Sequence, residues 1–117
     1  MNTRKFGQWG EEIAAAFLQM KGCEILGANA RFARREVDLV VRDGDSLVAV
    51  EVKLRRGSRF GSAAEAIDER KLARVRLALS GIARDVAPGL SPRIDVVTID
   101  IDEAGDRMTV EHYAGVS

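Results

Sequence analysis

The feature that most constrains this chain is a pair of short strands carrying three charges on one face. They read Glu36-Val37-Asp38-Leu39-Val40-Val41 and Leu47-Val48-Ala49-Val50-Glu51-Val52-Lys53. Between them, Asp43-Gly44-Asp45-Ser46 is a hairpin turn signal. A turn closing on Gly44 and Asp45 puts Asp38 opposite Glu51, and Glu36 opposite Lys53. Facing side chains in an antiparallel pair lie about 5 Å apart at Cβ. Two carboxylates at that spacing repel each other, and a divalent cation offsets the repulsion most directly. The reverse face, with Val37, Leu39, Val41, Val48, Val50 and Val52, is uniformly apolar and belongs in a core. A slip of one residue would turn the carboxylates inward and the valines outward, so the pattern sets the register. An ordinary half-exposed hairpin accounts for the valines. It does not account for a lysine one strand step beyond two opposed acids.

Around this hairpin the periodicity changes. Residues 5–21 read as a helix whose stripe is Trp9, Ile13, Ala16, Phe17 and Met20, ended by Gly22. On that stripe Trp9 reads as core rather than as a base-stacking platform. Residues 23–27 read as a short strand, and residues 29–35 as its connection to the hairpin. Past Lys53, two glycines and three arginines suggest a cationic loop. Ser62-Ala63-Ala64-Glu65 matches a capping box, and Asp68 caps a longer helix over residues 69–84 with Leu72, Val75, Leu79 and Ile82 as its stripe. Residues 93–100 and 107–113 read as strands. The order αβββαββ predicts an α/β fold, a central mixed sheet flanked by helices, in a single domain over residues 1–117.

The chain carries no formal net charge, which argues against a purely electrostatic nucleic-acid binder. The charge is unevenly placed. Residues 31–76 hold 12 Lys/Arg against 8 Asp/Glu, whereas residues 85–117 hold 2 against 7. A polyanion would prefer the first region, although a mixed solvated surface also explains the count. Cys23, the single cysteine, excludes an intramolecular disulfide and reads as a small buried hydrophobe. No apolar run reaches the length of a membrane span, and a secretory leader pattern is missing. The expectation is a cytoplasmic protein with no membrane partner.

Asp38, Glu51 and Lys53 together are the residue types that phosphodiester hydrolysis needs. Two carboxylates hold Mg2+ (or Mn2+), which keeps several waters of its own. A bound ion polarises the phosphoryl oxygen and lowers the pKa of a water. The Lys53 ammonium orients that water or stabilises charge on the phosphorane. Glu11, at the edge of the first helical stripe and preceded by Gly10, is a further acidic candidate. The other charged residues keep plain alternatives. Glu36 is a salt-bridge partner of Lys53 or a supporting group. Lys71 and Arg74 contact DNA phosphates or form a solvated helix face. Asp95 makes a structural ion pair with a nearby arginine. His112, the lone histidine, is not assigned to catalysis.

Four motifs in order carry a family likeness: Gly7-Gln8-Trp9-Gly10-Glu11, Glu36-Val37-Asp38-Leu39, Val50-Glu51-Val52-Lys53 and Arg93-Ile94-Asp95-Val96-Val97. They resemble the YraN-like family of small predicted endonucleases, part of the restriction-endonuclease-like superfamily with the PD-(D/E)xK signature and related to Holliday-junction resolvases. The resemblance runs from about Phe6 to Thr98. It implies a restriction-endonuclease-like core, with Asp38 as the metal-binding aspartate, Glu51 and Lys53 as the (D/E)xK pair, and Glu11 as the acidic residue of the first helix. Arg35 stands where the family usually has glycine, and a cation there could contact a phosphate. With Arg55, Arg56, Arg59, Lys71 and Arg74 it makes up the candidate nucleic-acid-binding set. The expectation is a metal-dependent nuclease acting on branched, nicked or distorted DNA, with a homodimer implied by the resolvase relatives. The alternatives are a non-catalytic nucleic-acid-binding module on the same scaffold and a protein-interaction domain using the acidic C-terminal part.

Overall fold

The hairpin closes on the two residues its turn signal names. In the computed structural model, which describes residues 3–32, 35–57 and 61–116, Gly44 has φ +58°, a left-handed value that glycine adopts at little cost. It joins β2 (Arg35–Asp43) to β3 (Ser46–Arg56). Their antiparallel pairs run from Asp43–Ser46 to Leu39–Val50, the register expected from the valine pattern. The ladder stops there. At the next position the Asp38 carboxylate takes over, its Oδ2 accepting from the Val52 N–H at 2.9 Å. Neither of the expected facing pairs, Asp38–Glu51 and Glu36–Lys53, is therefore part of the ladder. Glu36 lies beside Arg31 of β1 (Glu24–Phe32), and Lys53 beside Thr98 of β4 (Ser91–Ile101).

The sheet has the order β1-β2-β3-β4-β5, where β5 is Met108–Tyr113. Only β3 and β4 are parallel. Parallel neighbours need a crossover, and the chain supplies α2 (Glu69–Val86) after a short 3-10 turn, Ala64–Ala66. Ser62 Oγ accepts from the Glu65 N–H at 3.4 Å, so the capping-box residues begin only this single turn. Asp68 caps α2 itself, its Oδ1 accepting from the Arg70 N–H at 2.9 Å. The opposite face is covered by α1 (Thr3–Met20). Gly22 ends α1 with φ +94°, and the Cys23 and Gly22 N–H groups donate to Leu18 and Gln19. That double bond is a Schellman cap.

Two cores result, one on each face. Leu72, Val75, Ala78 and Leu79 of α2 pack on Val40, Leu47, Ala49, Ile94 and Val96. Ala14 and Leu18 of α1 pack on Leu39, Val41, Val48, Val50, Val97 and Ile99. The Leu47-Val48-Ala49-Val50 run is apolar throughout because β3 is covered on both sides.

Three expectations need correction. Strand β1 extends to Phe32, through the stretch expected to be a connection, with a bulge between Ile25 and Gly27. Gly27, Ala28 and Asn29 have low strand propensity, and pairing with β2 overrides it. Val37 packs in the α2-side cluster rather than with Leu39 and Val41, since it lies past the last β2–β3 pair. The buried line of α1 is Gly10, Ala14 and Leu18, not the larger stripe. Trp9 is 38% exposed and Met20 88% exposed, with Trp9 instead 6.2 Å from Phe6 between ring centroids.

The reason is Gly10. A Cβ there would lie 3.1 Å from Leu54 Cδ2 and 3.3 Å from Leu54 Cβ, whereas a Cβ at Gly7 would meet nothing within 4 Å. Small residues bring the helix close to the sheet, and large ones are turned aside. Gly10→Val is expected to destabilise by about 2 kcal/mol through overpacking. Gly7→Ala is expected to stabilise by about 0.5–1 kcal/mol through helix propensity. Urea unfolding of the two variants beside the parent chain checks this order.

Candidate functional site

The site forms where β2 leaves β3. Asp38, next after the last ladder pair, uses one oxygen to hold the Val52 N–H. This ties the aspartate to the strand that carries Glu51 and Lys53. Glu51 projects from β3 toward α2 and is 1% exposed. The Lys71 ammonium of α2 abuts its Oε1 as an ion pair. Neither Glu51 oxygen receives an aligned hydrogen bond among the described residues. Burial and, after it, the neighbouring Asp38 charge push the Glu51 carboxyl up to about 7 against the pull of Lys71.

The neighbouring charges respond to the same cluster. Burial alone would lower the Lys71 ammonium, but its bond to Glu51 and the charges of Asp38, Glu51 and Glu36 outweigh that and raise it. Burial raises the Glu11 carboxyl, Asp38 and Glu36 add to the rise, and the hydrogen bond from Asn29 and the Lys71 charge oppose it. Asn29 Nδ2 donates to Glu11 Oε2 at 3.1 Å from a left-handed backbone, φ +51°. Glu11 also lines a cleft of about 380 Å3 between α1 and β1, with Asn29, Ala28 and Leu39.

Lys53 lies two residues along β3 from Glu51, half-buried and beside Thr98 of β4. It has no hydrogen-bond or ion-pair partner among the described residues. Arg55 and Arg74 are exposed. Arg56 Nη2 donates to the Glu103 carbonyl at 3.2 Å. The Arg35 backbone is in β2, and Arg59 lies outside the described residues. The structure thus brings Asp38, Glu51 and Lys71 together and sets Glu11 and Lys53 at the margins. The Lys71–Glu51 contact was not anticipated. Its signal is a lysine in the first turn of α2, where the helix dipole disfavours a cation.

A larger cleft of about 430 Å3 lies elsewhere, at the far ends of β4 and β5, lined by Asp100, Asp102 and Arg107. It touches neither Asp38 nor Glu51. Asp100 and Asp102 spend an oxygen each on backbone N–H groups, of Ala63 and Asp106.

A second buried acid provides a contrast. Asp95 is also 1% exposed, yet it accepts from Arg93 Nε at 2.9 Å, Arg93 Nη2 at 3.0 Å and the Gly115 N–H at 3.0 Å. His112 Nε2 lies 2.7 Å from Asp95 Oδ2, and His112 Nδ1 lies 2.7 Å from Lys21 Nζ. An ammonium can only donate, so Nδ1 accepts and Nε2 carries the proton toward Asp95. Burial alone would raise the Asp95 carboxyl, but these donors hold it below the usual carboxylate range. This is the structural ion pair expected of Asp95, with a histidine added.

Glu51 sets a pH dependence. Its carboxyl sits at about 7 when folded, against 4.5 when unfolded, so the native state holds the extra proton between those values. The resulting stability is fully present below 4.5 and lost as pH rises through about 7. Without divalent cations, the parent chain should lose roughly 3 kcal/mol relative to Glu51→Gln between pH 4.5 and pH 8. Chemical denaturation across that range, in the presence of a chelator, measures the difference.

Comparison with known proteins places the chain among its relatives. It is 45% identical over 114 residues to a UPF0102 protein of Kineococcus radiotolerans, covering 95% of this chain and 92% of that one. It is 46% identical over 110 residues to one of Frankia casuarinae, covering 93% and 92%. It is 43% identical over 108 residues to one of Pelotomaculum thermopropionicum, covering 92% and 90%. Residues 10–99, which contain Glu11, Asp38, Glu51, Lys53 and Lys71, match the model of uncharacterised protein family UPF0102, and the chain belongs to that family.

Proposed function

We propose that this protein is a metal-dependent nuclease hydrolysing phosphodiester bonds in DNA, in branched, nicked or otherwise distorted forms. One observation carries the reading: the Glu51 carboxylate is buried in the field of Asp38, with the Lys71 ion pair as its one compensating contact and no aligned hydrogen bond among the described residues. A carboxylate kept only for stability would be satisfied as Asp95 is. Among the described residues no group of three or more His, Cys, Asp or Glu is placed to cage an ion. Two carboxylates with open positions suit magnesium or manganese, which retain waters and accept substrate oxygens. The donor set therefore fits, with Asp38 and Glu51 as the holding residues. When bound, the ion supplies Lewis-acid polarisation of the phosphoryl oxygen and a more acidic water.

The chain's own groups do the rest. Asp38, fixed by the Val52 N–H, sets the geometry. Lys53, with no partner among the described residues, orients the attacking water or neutralises the developing phosphorane charge. Arg55, Arg56 and Arg74, all exposed, supply positive charge for backbone phosphates, and Arg35 and Arg59 are proposed to join them. No described helix is long and apolar enough to cross a membrane. A cytoplasmic location and a homodimer complete the proposal. The competing reading is a non-catalytic nucleic-acid-binding module.

Incubation with manganese and a panel of linear, nicked, flapped, single-stranded and four-way-junction DNAs separates the two. Cleavage of at least one branched or nicked form is expected, and binding without cleavage of any form would favour the module. Glu51→Ala should abolish cleavage while retaining the fold by circular dichroism. Lys53→Ala should lower the single-turnover rate by about 100-fold or more while changing DNA affinity less than threefold, roughly. Neutralising Arg55, Arg56 and Arg59 together should weaken binding and flatten its salt dependence. Normal cleavage by Lys53→Ala at saturating DNA, with weakened binding, would instead make Lys53 a phosphate anchor.

A further inference from the structure

The lysine on Glu51 has a role that the nuclease reading does not assign. Lys71 is the third residue of α2, close to the positive end of the helix dipole. A cation is disfavoured there unless a tertiary anion compensates. Here the compensation is Glu51, reinforced by the charges of Asp38 and Glu36. Lys71 thus stands at the focus of three carboxylates. Its own side chain is 37% exposed, while that of Glu51 is only 2% exposed. The ammonium therefore bridges a buried anion and open solvent, and its stem can swing outward without unpacking α2, whose core contacts are Leu72, Val75, Ala78 and Leu79.

A divalent ion held by Asp38 and Glu51 would lie within a few ångströms of the Lys71 ammonium, because both cations would contact the one Glu51 carboxylate. Two cations that close repel strongly in a partly buried site. We infer that Lys71 is a built-in counter-ion, which neutralises Glu51 in the metal-free protein and is displaced toward solvent when a divalent cation binds Asp38 and Glu51. The inference rests on the cation reading above and adds a regulatory step to it. The site stays electrostatically closed until the ion arrives, and the displaced ammonium then joins the positive rim beside Lys53. The exchange leaves Glu51 neutralised in both states.

Two measurements test this without any DNA. In the parent protein, acetic anhydride labelling read by mass spectrometry should show Lys71 reacting at least about threefold faster at saturating Mn2+ than in chelator, with Lys21 as the internal reference. In calorimetry at one fixed alkaline pH, Lys71→Gln should bind Mn2+ roughly tenfold more tightly than the parent, and Lys71→Arg about as the parent does. Lys71→Gln should also melt lower without metal and gain more from Mn2+. If Mn2+ binds, is lost in Asp38→Asn, and leaves both Lys71 labelling and Lys71→Gln affinity unchanged, the counter-ion role is overturned and the metal site stands. If the parent and Lys71→Gln both fail to bind Mn2+, the metal site falls and takes the counter-ion role with it.

Discussion

Parallel strands cannot be joined by a tight turn, so the pairing of β3 with β4 sends the chain across one face of the sheet. That crossing contains α2, and most of the arrangement depends on it. It covers the Val40, Ala49 and Val96 face, which makes β3 a strand buried on both sides. It also covers the carboxylate of Glu51, which an uncovered hairpin would leave in water. The same helix brings Lys71 to meet it. Burial of an acid and delivery of its counter-charge are therefore consequences of one topological requirement.

The two buried acids show what burial alone does not decide. Asp95 and Glu51 are equally inaccessible, and they respond in opposite directions. Asp95 gathers Arg93, His112 and the Gly115 N–H, and its carboxyl is held low. Arg93 also reaches Asp43, and Lys21 reaches His112, so this cluster ties β4 to β5, to the hairpin end and to the end of α1. Glu51 has one ammonium and a like-charged neighbour, and its carboxyl is pushed up to about 7. A buried charge left incompletely satisfied lowers stability. Unsatisfied charge of this kind concentrates where a protein binds an ion or substrate.

Close approach of α1 gives the site its other boundary. Gly10 lets the helix backbone reach Leu54 of β3, and Glu11 follows directly. This places Glu11 within the field of Asp38 and Glu36, on a cleft shared with β1. The bulge after Ile25 and the left-handed Asn29 bend β1 beside that cleft, so that the Asn29 amide meets the Glu11 carboxylate. An edge strand that reads poorly as a strand thereby contributes the group that orients an acid.

Much of this was legible in the residues. The valine alternation and the Gly44 turn determined the β2–β3 register, because a period of two admits only one set of inward-facing side chains. Asp68, Gly22 and the α2 stripe likewise announced their helix ends and buried face, since capping and helical spacing are local properties. The ladder ends one pair short of Asp38 and Glu51, so the facing pair expected from that register lies beyond the paired residues. What only the tertiary structure decided was everything that depends on one element meeting another. The sheet order, the length of β1, the exposure of Trp9 and the stop of the ladder at Leu39 all come from packing between distant segments. The Lys71–Glu51 contact belongs with them, because the two residues are brought together by a helix crossing a sheet rather than by spacing along the chain.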